Sequence, residues 1–291
     1  MKCIFSVDVE DWFHLLDLPA VADSERWPEL PSRVEKNFIN LMAIFAESDV
    51  QVTCFFLGWI AQRHPHLVRE AQRLGHEVAS HGFGHQLVDR MSPQEFYRDV
   101  SLSKCILEDI VGRPILGYRA PGFSATRNTP WFFDELIRAG YHYDSSIFPA
   151  KRSNGGMPGS REEPHLIRSS PEWFIEFPIS VREFLKKRLC FFGGGYFRFY
   201  PLSIIKRMAA SVLAEGRPVV FYLHPREIDP DQPRLPMSPM RKFKTYLNLK
   251  TTASKLRGLL ASLETTTFES FIESELEPFL FRQPAVARTH R

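Results

Sequence analysis

Short apolar runs alternating with amphipathic segments are the feature that most constrains the fold of this chain. Apolar residues, many of them β-branched or aromatic, occupy positions 2–9, 50–57, 76–80, 115–118 and 219–223. Segments of helical periodicity separate these runs. Short, continuous apolar strands joined by helices are typical of a parallel sheet that helices cover on both faces. The chain is therefore predicted to be an α/β protein.

The helices predicted between the strands begin and end at recognisable residues. The segments 32–35 and 92–95 both read Ser followed by Glu three positions later, which is the form of a capping box at a helix start. Gly75, Gly140 and Gly216 each follow a helical segment. Glycine at that position commonly ends a helix. These signals support the alternation of strands and helices.

The element order predicts a single domain, a distorted (β/α) barrel of mostly parallel strands. A flat doubly wound sheet is the alternative, but no Gly-x-Gly-x-x-Gly follows the first strand to support a dinucleotide site. We assign residues 1–263 to this domain, which ends in a helix over 242–263. Residues 150–170 are polar and are predicted to form an excursion loop. Residues 264–291 are predicted to be a C-terminal extension with a disordered end.

Charge and hydropathy exclude several classes of function. The net charge of +3, from 37 basic and 34 acidic residues, is too balanced to indicate a nucleic-acid partner. No run of residues approaches the ~18 apolar residues of a membrane-spanning helix. Asp8 lies where a signal peptide would continue its apolar core. We therefore expect a cytoplasmic protein without a transmembrane segment, which could act near the inner face of the membrane.

Chemically active side chains follow the predicted strands one after another. In parallel β/α folds the active site lies at the carboxyl ends of the strands. Imidazole and carboxylate groups bind zinc, and an open catalytic site takes three protein ligands. Each residue alone has an ordinary explanation, such as a helix cap or a surface ion pair, but together they indicate a metal-dependent active site. The set comprises Asp8, Glu10, His81, His85, Arg119, Asp144 and His224.

Four ordered motifs resemble those of the polysaccharide deacetylases of carbohydrate esterase family 4, which have a NodB-type domain. Residues 6–11 are similar to the family's first acidic motif, and residues 80–85 to its two-histidine metal motif. Residues 118–123 resemble its Arg-x-Pro motif, and residues 222–225 its closing Leu-x-His motif. The form Asp-Val-Glu-Asp-Trp-Phe looks closest to the branch associated with bacterial exopolysaccharide loci. The resemblance covers nearly the whole chain and implies the distorted barrel of the NodB type.

The resemblance implies metal-assisted removal of an N-acetyl group from an amino sugar, with release of acetate. One divalent ion, Zn²⁺ with Co²⁺ or Mn²⁺ as alternatives, would be bound. Asp8 would act as general base, and Arg119 would pair with Asp8 and keep it ionised and oriented. His224 would give a proton to the leaving amine, and a backbone N–H near Gly122 would stabilise the oxyanion. The expected partner is a glycan that contains an N-acetylated amino sugar.

The first acidic motif departs from the family's usual pair of adjacent aspartates, because residue 9 is a valine. The metal ligand that joins His81 and His85 would then be Glu10 or Asp11. Residues two apart on a strand face the same way, which favours Glu10 beside Asp8. Asp11 would require the strand to have ended already.

Residues beside the motifs are candidates for contact with substrate. Aromatic rings commonly stack on sugar faces, but in a chain with 13% aromatic residues, packing in the core is an ordinary alternative for each ring. The glycine run at 193–195 would let the backbone approach either a substrate or a packed neighbour. The candidates are Trp12, Pro121, Gly122, Phe123, Asp144 and Tyr196.

Two other functions fit the same residues. Relatives on this scaffold, such as allantoinases and imidases, hydrolyse cyclic amides, which calls for a closed pocket rather than an open groove. A non-catalytic glycan-binding protein with a vestigial site is the second alternative, and the altered first motif permits it. Asp8, Arg119 and His224 are together more than glycan binding requires, and they favour the deacetylase.

Overall fold

The computed structural model describes residues 2–152, 155–168, 173–184 and 187–276. The strands are β1 Cys3–Val9, β2 Thr53–Phe56, β3 Glu77–Ser80, β4 Gly117–Tyr118, β5 Tyr143–Asp144, β6 His165–Arg168, β7 Phe174–Glu176, β8 Arg182–Phe184, β9 Lys187–Leu189, β10 Val219–Leu223 and β11 Thr265–Thr266. The helices are α1 Val34–Glu47, α2 Gly58–Arg63, α3 Pro65–Arg73, α4 Pro93–Val111, α5 Phe132–Arg138, α6 Gly194–Phe199, α7 Leu202–Ala214, α8 Pro239–Tyr246, α9 Leu249–Leu260 and α10 Phe268–Phe271. Across these residues, none of the helices is both long enough and apolar enough to cross a bilayer.

A curled, mostly parallel sheet forms the centre of the fold. Its strand order is β10-β1-β2-β3-β4-β5-β7-β6, and β11 also pairs with β1. In this sheet β6 and β7 pair antiparallel, and the other pairs are parallel. After β7 the chain returns to β10, where Ser180 Oγ accepts the N–H of Val220 at 2.8 Å. The predicted distorted barrel of mostly parallel strands is confirmed.

Side chains along β1 alternate between the inside and the outside of the barrel, as expected for a strand. Phe5 and Val7 pack in the larger apolar cluster with the helices, whereas Ile4 packs in a separate inner cluster. Asp8 and Glu10 follow Ile4 at even spacing. The inner cluster therefore forms an apolar floor below the polar carboxyl end of the sheet. It includes Ile4, Phe55, Tyr143, Phe177, Val220 and Phe268.

The start of α1 differs from the capping box predicted at 32–35. Asp11 Oδ2, rather than Ser32, accepts the N–H groups of Arg33 at 2.9 Å and Val34 at 3.1 Å. The hydroxyl of Ser32 donates to the same carboxylate at 2.6 Å. The helix is capped from another segment of the chain, so the local motif at 32–35 is not the cap.

Other predicted helix limits are partly confirmed. The capping box at 92–95 is present at the start of α4. The single helix predicted over 242–263 is instead two helices, α8 and α9, because Asn248 adopts a φ of +54° between them. The predicted excursion loop at 150–170 contains β6, which pairs with β7.

Residues after the predicted domain boundary at 263 also pack against the barrel. β11 pairs with β1 beside the barrel. The ring centroid of Phe268 lies 5.2 Å from that of Tyr143 and 5.1 Å from that of Phe177. The start of the extension is therefore part of the barrel core, while residues 277–291, where its predicted disordered end falls, lie outside the described residues.

A carboxyl pair is buried between β5 and β7. Asp144 and Glu176 are register partners, and both are fully buried. Ser146 donates to Asp144 through its Oγ at 2.5 Å and its N at 3.0 Å, and the N–H of Ile147 donates to Glu176 at 3.0 Å. Burial raises the pKa of Asp144 to about 6 and, together with the Asp144 charge, raises the pKa of Glu176 well above its usual value. The pair therefore retains a proton at pH values where an unfolded chain has lost it.

Replacement of Glu176 tests this carboxyl pair. Carboxyls with raised folded pKa values make the folded state less stable as pH increases, because the unfolded state releases its protons at a lower pH. Glu176→Gln removes one titrating group, so its free energy of unfolding relative to wild type should rise by about 1–3 kcal/mol between about pH 4.5 and about pH 8. Denaturant unfolding at both pH values measures this change. The exposed Glu273→Gln variant is the control, and equal pH dependence in all three proteins would contradict the assignment.

Candidate active site

Glu10, His81 and His85 converge at the carboxyl end of the sheet. Glu10 Oε1 lies 3.2 Å from His81 Nε2 and 2.9 Å from His85 Nε2. All three residues are buried, and their ligand atoms lie within 4.8 Å of one another. Two imidazole nitrogens and a carboxylate oxygen are donors that zinc and similar divalent ions accept.

The protonation of His81 makes this donor set fit a cation. His81 Nδ1 lies 2.7 Å from the backbone carbonyl oxygen of Arg119. Since a carbonyl only accepts, Nδ1 carries the proton, and in the neutral ring Nε2 presents a lone pair toward Glu10. Burial opposes ionisation of Glu10, but His85, His224 and His81 hold its pKa well below the usual value. A carboxylate that faces an imidazole lone pair leaves room for a metal ion between them.

A turn that hydrogen bonds to Asp99 stabilise brings His81 and His85 together. Gly82 has a φ of +74°, which glycine adopts without strain, and a Cβ there would lie 2.7 Å from Asp99 Oδ2. The carboxylate of Asp99 accepts the N–H groups of residues 83–84 at 2.8 and 2.9 Å. This turn allows His85 to approach His81, with ring centroids 5.5 Å apart.

Asp8 is held in a buried ion pair with Arg119. Arg119 Nη1 donates to Asp8 Oδ1 at 2.8 Å and to Ser6 Oγ at 2.6 Å. The same guanidinium donates to the carbonyl oxygen of Ser145 at 3.1 Å and to its Oγ at 3.0 Å. These bonds fix one oxygen of Asp8, while Oδ2 lies 3.8 Å from His224 Nε2.

His224 follows β10 and is oriented by a second buried ion pair. Its Nδ1 lies 2.6 Å from Glu227 Oε1, and Arg198 Nε donates to Glu227 Oε2 at 3.0 Å. Burial opposes the charge on His224, but Glu10 and Glu227 outweigh it and raise the pKa of the ring. Burial also opposes ionisation of Glu227, yet His224 and Arg198 lower its pKa to about 2. Glu227 is thus an ionised acceptor that keeps a proton on His224 Nδ1.

Comparison with known proteins divides the chain into two matched regions. Residues 29–143 match the polysaccharide deacetylase family, and residues 145–273 match a domain of unknown function, DUF3473. The first of these regions is therefore similar to polysaccharide deacetylases. His81, His85 and Arg119 lie inside the deacetylase match, whereas His224 lies in the DUF3473 match and Asp8 precedes both.

Individual proteins are similar to this chain in sequence or in structure. A peptidoglycan-N-acetylglucosamine deacetylase of Bacillus cereus is 28% identical over 82 residues, which cover 28% of this chain and only 38% of that protein. A structure from Mycobacterium smegmatis described as a polysaccharide deacetylase has a TM-score of 0.60 at 21% identity, covering 93% of this chain and 88% of that one. A structure from Pseudomonas aeruginosa with the same description has a TM-score of 0.60 at 14% identity, covering 94% and 91%. An allantoinase structure also has a TM-score of 0.60, at 15% identity, covering 94% and 90%. At these identities the structural likenesses show the fold alone.

A cleft of about 800 Å³ opens at the cluster formed by Glu10, His81 and His85, which we call the metal cluster because these side chains could hold an ion. Its lining includes Asp8, Glu10, His85, His224 and Glu227. Three of the predicted substrate contacts, Gly122, Phe123 and Tyr196, also line it. The cleft therefore gives a ligand access to both the metal cluster and the pair formed by Asp8 and His224.

The other three predicted substrate contacts are not in the described lining of the cleft. Trp12 is buried, and its Nε1 donates to the carbonyl oxygen of Pro31 at 3.0 Å. Pro121 is buried, and its carbonyl oxygen accepts the hydroxyl of Ser124 at 2.7 Å. Asp144 belongs to the carboxyl pair in the barrel. These three residues contribute to packing and internal hydrogen bonds.

Sequence patterns did not identify two residues that orient His224, Glu227 and Arg198. Glu227 lies three positions after His224 on the same 3₁₀ turn, and this spacing between an acid and a histidine is a signal that could have revealed it. Arg198 lies in the Gly-Gly-Gly-Tyr-Phe-Arg segment. Its role depends on α6 lying beside the turn after β10, which no local pattern indicates.

His14 is a third missed residue of the cleft. The N–H of Asp11 donates to His14 Nδ1 at 2.9 Å, so the proton of the neutral ring is on Nε2. Burial and the nearby His85 hold the pKa of His14 well below its usual value. The ring is packed against Trp27 and Trp59. A lone histidine beyond a strand gave no sequence signal for this position.

Metal content distinguishes the two carboxylates proposed as the third ligand. Asp11 caps α1, whereas Glu10 faces both histidines. We expect Glu10→Gln to lower metal affinity by at least about tenfold, because a neutral amide replaces the charged donor. Asp11→Asn should retain the metal of wild type and lose stability instead. Metal analysis after dialysis, with thermal unfolding, measures both effects, and the reverse result would identify Asp11 as the ligand.

Proposed function

We propose that this protein is a metal-dependent hydrolase that removes N-acetyl groups from an amino sugar in a bacterial polysaccharide or its precursor and releases acetate. The observation that carries the proposal is the distance of 3.8 Å between Asp8 Oδ2 and His224 Nε2, beside a cluster of three metal-ligand side chains. Amide hydrolysis needs a base, an acid and an electrophile at one place. The match to the polysaccharide deacetylase family supports this reaction class.

Glu10, His81 and His85 would hold one divalent ion. Zn²⁺ is favoured because two histidines and a carboxylate are a known ligand set of catalytic zinc sites, and Co²⁺ or Mn²⁺ are the alternatives. When bound, such an ion acts as a Lewis acid toward the acetyl carbonyl and makes water more acidic.

In this proposal Asp8 is the general base. Arg119 donates a hydrogen bond to Oδ1, so Oδ2 is the atom that takes the proton of the attacking water. Negative charge then develops on the carbonyl oxygen. The backbone N–H of Gly122, which lines the cleft with a φ of +65°, is the proposed donor to that oxygen.

His224 is the proposed general acid. Glu227 accepts the Nδ1 proton, so the proton that can be delivered is on Nε2, the atom that faces Asp8. The imidazolium gives this proton to the amide nitrogen as the C–N bond breaks, because a neutral amine leaves where an amide anion does not. The products are acetate and a free amino sugar.

The shape of the site supports a glycan rather than a small cyclic amide. Beside the cleft of about 800 Å³ lies a second groove of about 650 Å³, and the two share His14, Leu15, Leu16 and His85. A single imide ring would fill a small part of this space, whereas several sugar units can lie along it. A panel of cyclic imides tests the alternative directly.

The first experiment measures metal content and acetate release from acetylated glucosamine oligomers. Wild type should bind one metal ion and release acetate. Asp8→Asn should keep the metal and release acetate about 10²–10⁴-fold more slowly, because it loses the general base. Bound metal without acetate from any glycan would contradict the deacetylase, and turnover of imides would identify the alternative. A protein that neither binds metal nor turns over after addition of zinc or cobalt would overturn a catalytic role.

Glu227 is predicted to act through His224 rather than on the substrate. Glu227→Gln should lower kcat by about 10–100-fold with a smaller change in KM, because His224 loses the carboxylate that orients it. Loss of that charge also lowers the pKa of His224, so the alkaline limb of the rate profile should move to lower pH. Glu227→Asp should recover part of the rate. A uniform loss of activity at all pH values, with lower thermal stability, would indicate a structural role only.

A further inference from the structure

Among the residues that the structure describes, the lysines and arginines that line the cleft all come from one of the two matched regions. They are Lys151, Arg152, Arg198, Arg226, Arg241 and Lys244, and each lies within residues 145–273, the DUF3473 match. Arg198 is paired with Glu227. The other five form what we call the cationic wall. We propose that this wall recognises negative charge on the glycan, either carboxylates of acidic sugars or a diphosphate that links the glycan to a carrier; the proposal rests on the deacetylase function.

The carboxylates in the described lining are already engaged. Asp8 pairs with Arg119, Glu10 faces the two histidines of the metal cluster, and Glu227 is bound by His224 and Arg198. Among the described residues that line the cleft, no further carboxylate is present to neutralise the cationic wall. The wall therefore presents uncompensated positive charge to a ligand.

Two guanidinium groups of the wall have a buried nitrogen without a hydrogen-bond partner. These atoms are Arg152 Nη1 and Arg226 Nε, considering the described part of the chain. The Arg152 guanidinium lies 5.0 Å from the ring centroid of Phe123 and 4.7 Å from that of Phe148, so stacking holds it at the cleft. Buried donors are normally satisfied. Oxygens of a carboxylate or phosphate would satisfy them and match the fork of a guanidinium.

Helix α8 adds Arg241 and Lys244 to the wall. Arg241 donates to the carbonyl oxygens of Leu16 and Asp17, the latter at 2.9 Å, and so fixes α8 against the loop after β1. Because carbonyl oxygens carry no net charge, these bonds orient the guanidinium without neutralising it. The charge of Arg241 is therefore held at the cleft by the fold.

Three substrates that differ in charge test the proposal on the metal-loaded protein. They are a neutral N-acetylglucosamine oligomer, an oligomer that alternates N-acetylglucosamine with glucuronic acid, and N-acetylglucosamine joined through diphosphate to a short prenyl chain. We expect kcat/KM to be at least about tenfold higher for one anionic substrate than for the neutral oligomer, and the preferred substrate identifies the source of the charge. This preference should decrease as salt concentration rises.

Substitutions in the cationic wall test which residues cause the preference for an anionic substrate. Arg152→Gln and Arg226→Gln should each lower kcat/KM about tenfold for the anionic substrate and change the neutral oligomer little. Arg152→Lys should recover part of the loss, and thermal unfolding reports whether each variant is folded. Lys250→Gln, an exposed lysine of α9 outside the cleft, is the matched control and should behave as wild type.

The outcomes separate this inference from the proposed function. Acetate released equally from neutral and anionic glycans, without an effect of the two arginine variants, would overturn the cationic wall and leave the deacetylase standing. If no glycan is turned over, the proposed function fails, and calorimetric binding of the three glycans still tests the wall. Tighter binding of an anionic glycan that Arg152→Gln weakens would support it, and equal affinities would overturn it.

Discussion

The buried guanidinium of Arg119 is the interaction on which the active-site end of the barrel depends. A charge removed from water is stable only when it is paired and its donors are satisfied. Arg119 meets this condition because its guanidinium donates hydrogen bonds to Ser6 and Asp8 on β1 and to Ser145, which follows β5. Its carbonyl oxygen also accepts the Nδ1 proton of His81. One residue thus fixes the proposed base directly and the tautomer of a proposed metal ligand through its backbone.

Strand periodicity explains why so much of the site could be predicted from the sequence. Asp8 and Glu10 are two positions apart, so the alternation of β1 predicts that both reach the inner face. Asp8 there contacts Arg119, and Glu10 lies 2.9 Å from His85. The apolar run of β10 likewise predicts where His224 leaves the sheet. In each case a local pattern fixes the direction of a side chain at a strand end, and the parallel topology brings those ends together.

The predictions failed where a distant partner decides the local structure. The cap of α1 comes from Asp11, 23 positions before Val34, so the box at 32–35 was misleading. Asp144 is an acidic residue at the end of a strand, as the active-site pattern predicts. It is nevertheless fully buried in the barrel beside its register partner Glu176. Arg198 was missed because it reaches Glu227 only through the packing of α6 beside the turn after β10. None of these contacts produces a periodic pattern in the sequence.

The parallel pairing of β1 and β10 explains how Asp8, which precedes both matched regions, lies beside His224 of the DUF3473 match. Val7 is the register partner of Leu223, so the next residues along both strands are Asp8 and His224. The proposed base and acid are therefore neighbours by register, which accounts for their separation of 3.8 Å. A slip of one residue would turn one of the two side chains to the opposite face. Because His224 lies within residues 145–273, the DUF3473 region supplies part of the site that the deacetylase match alone lacks.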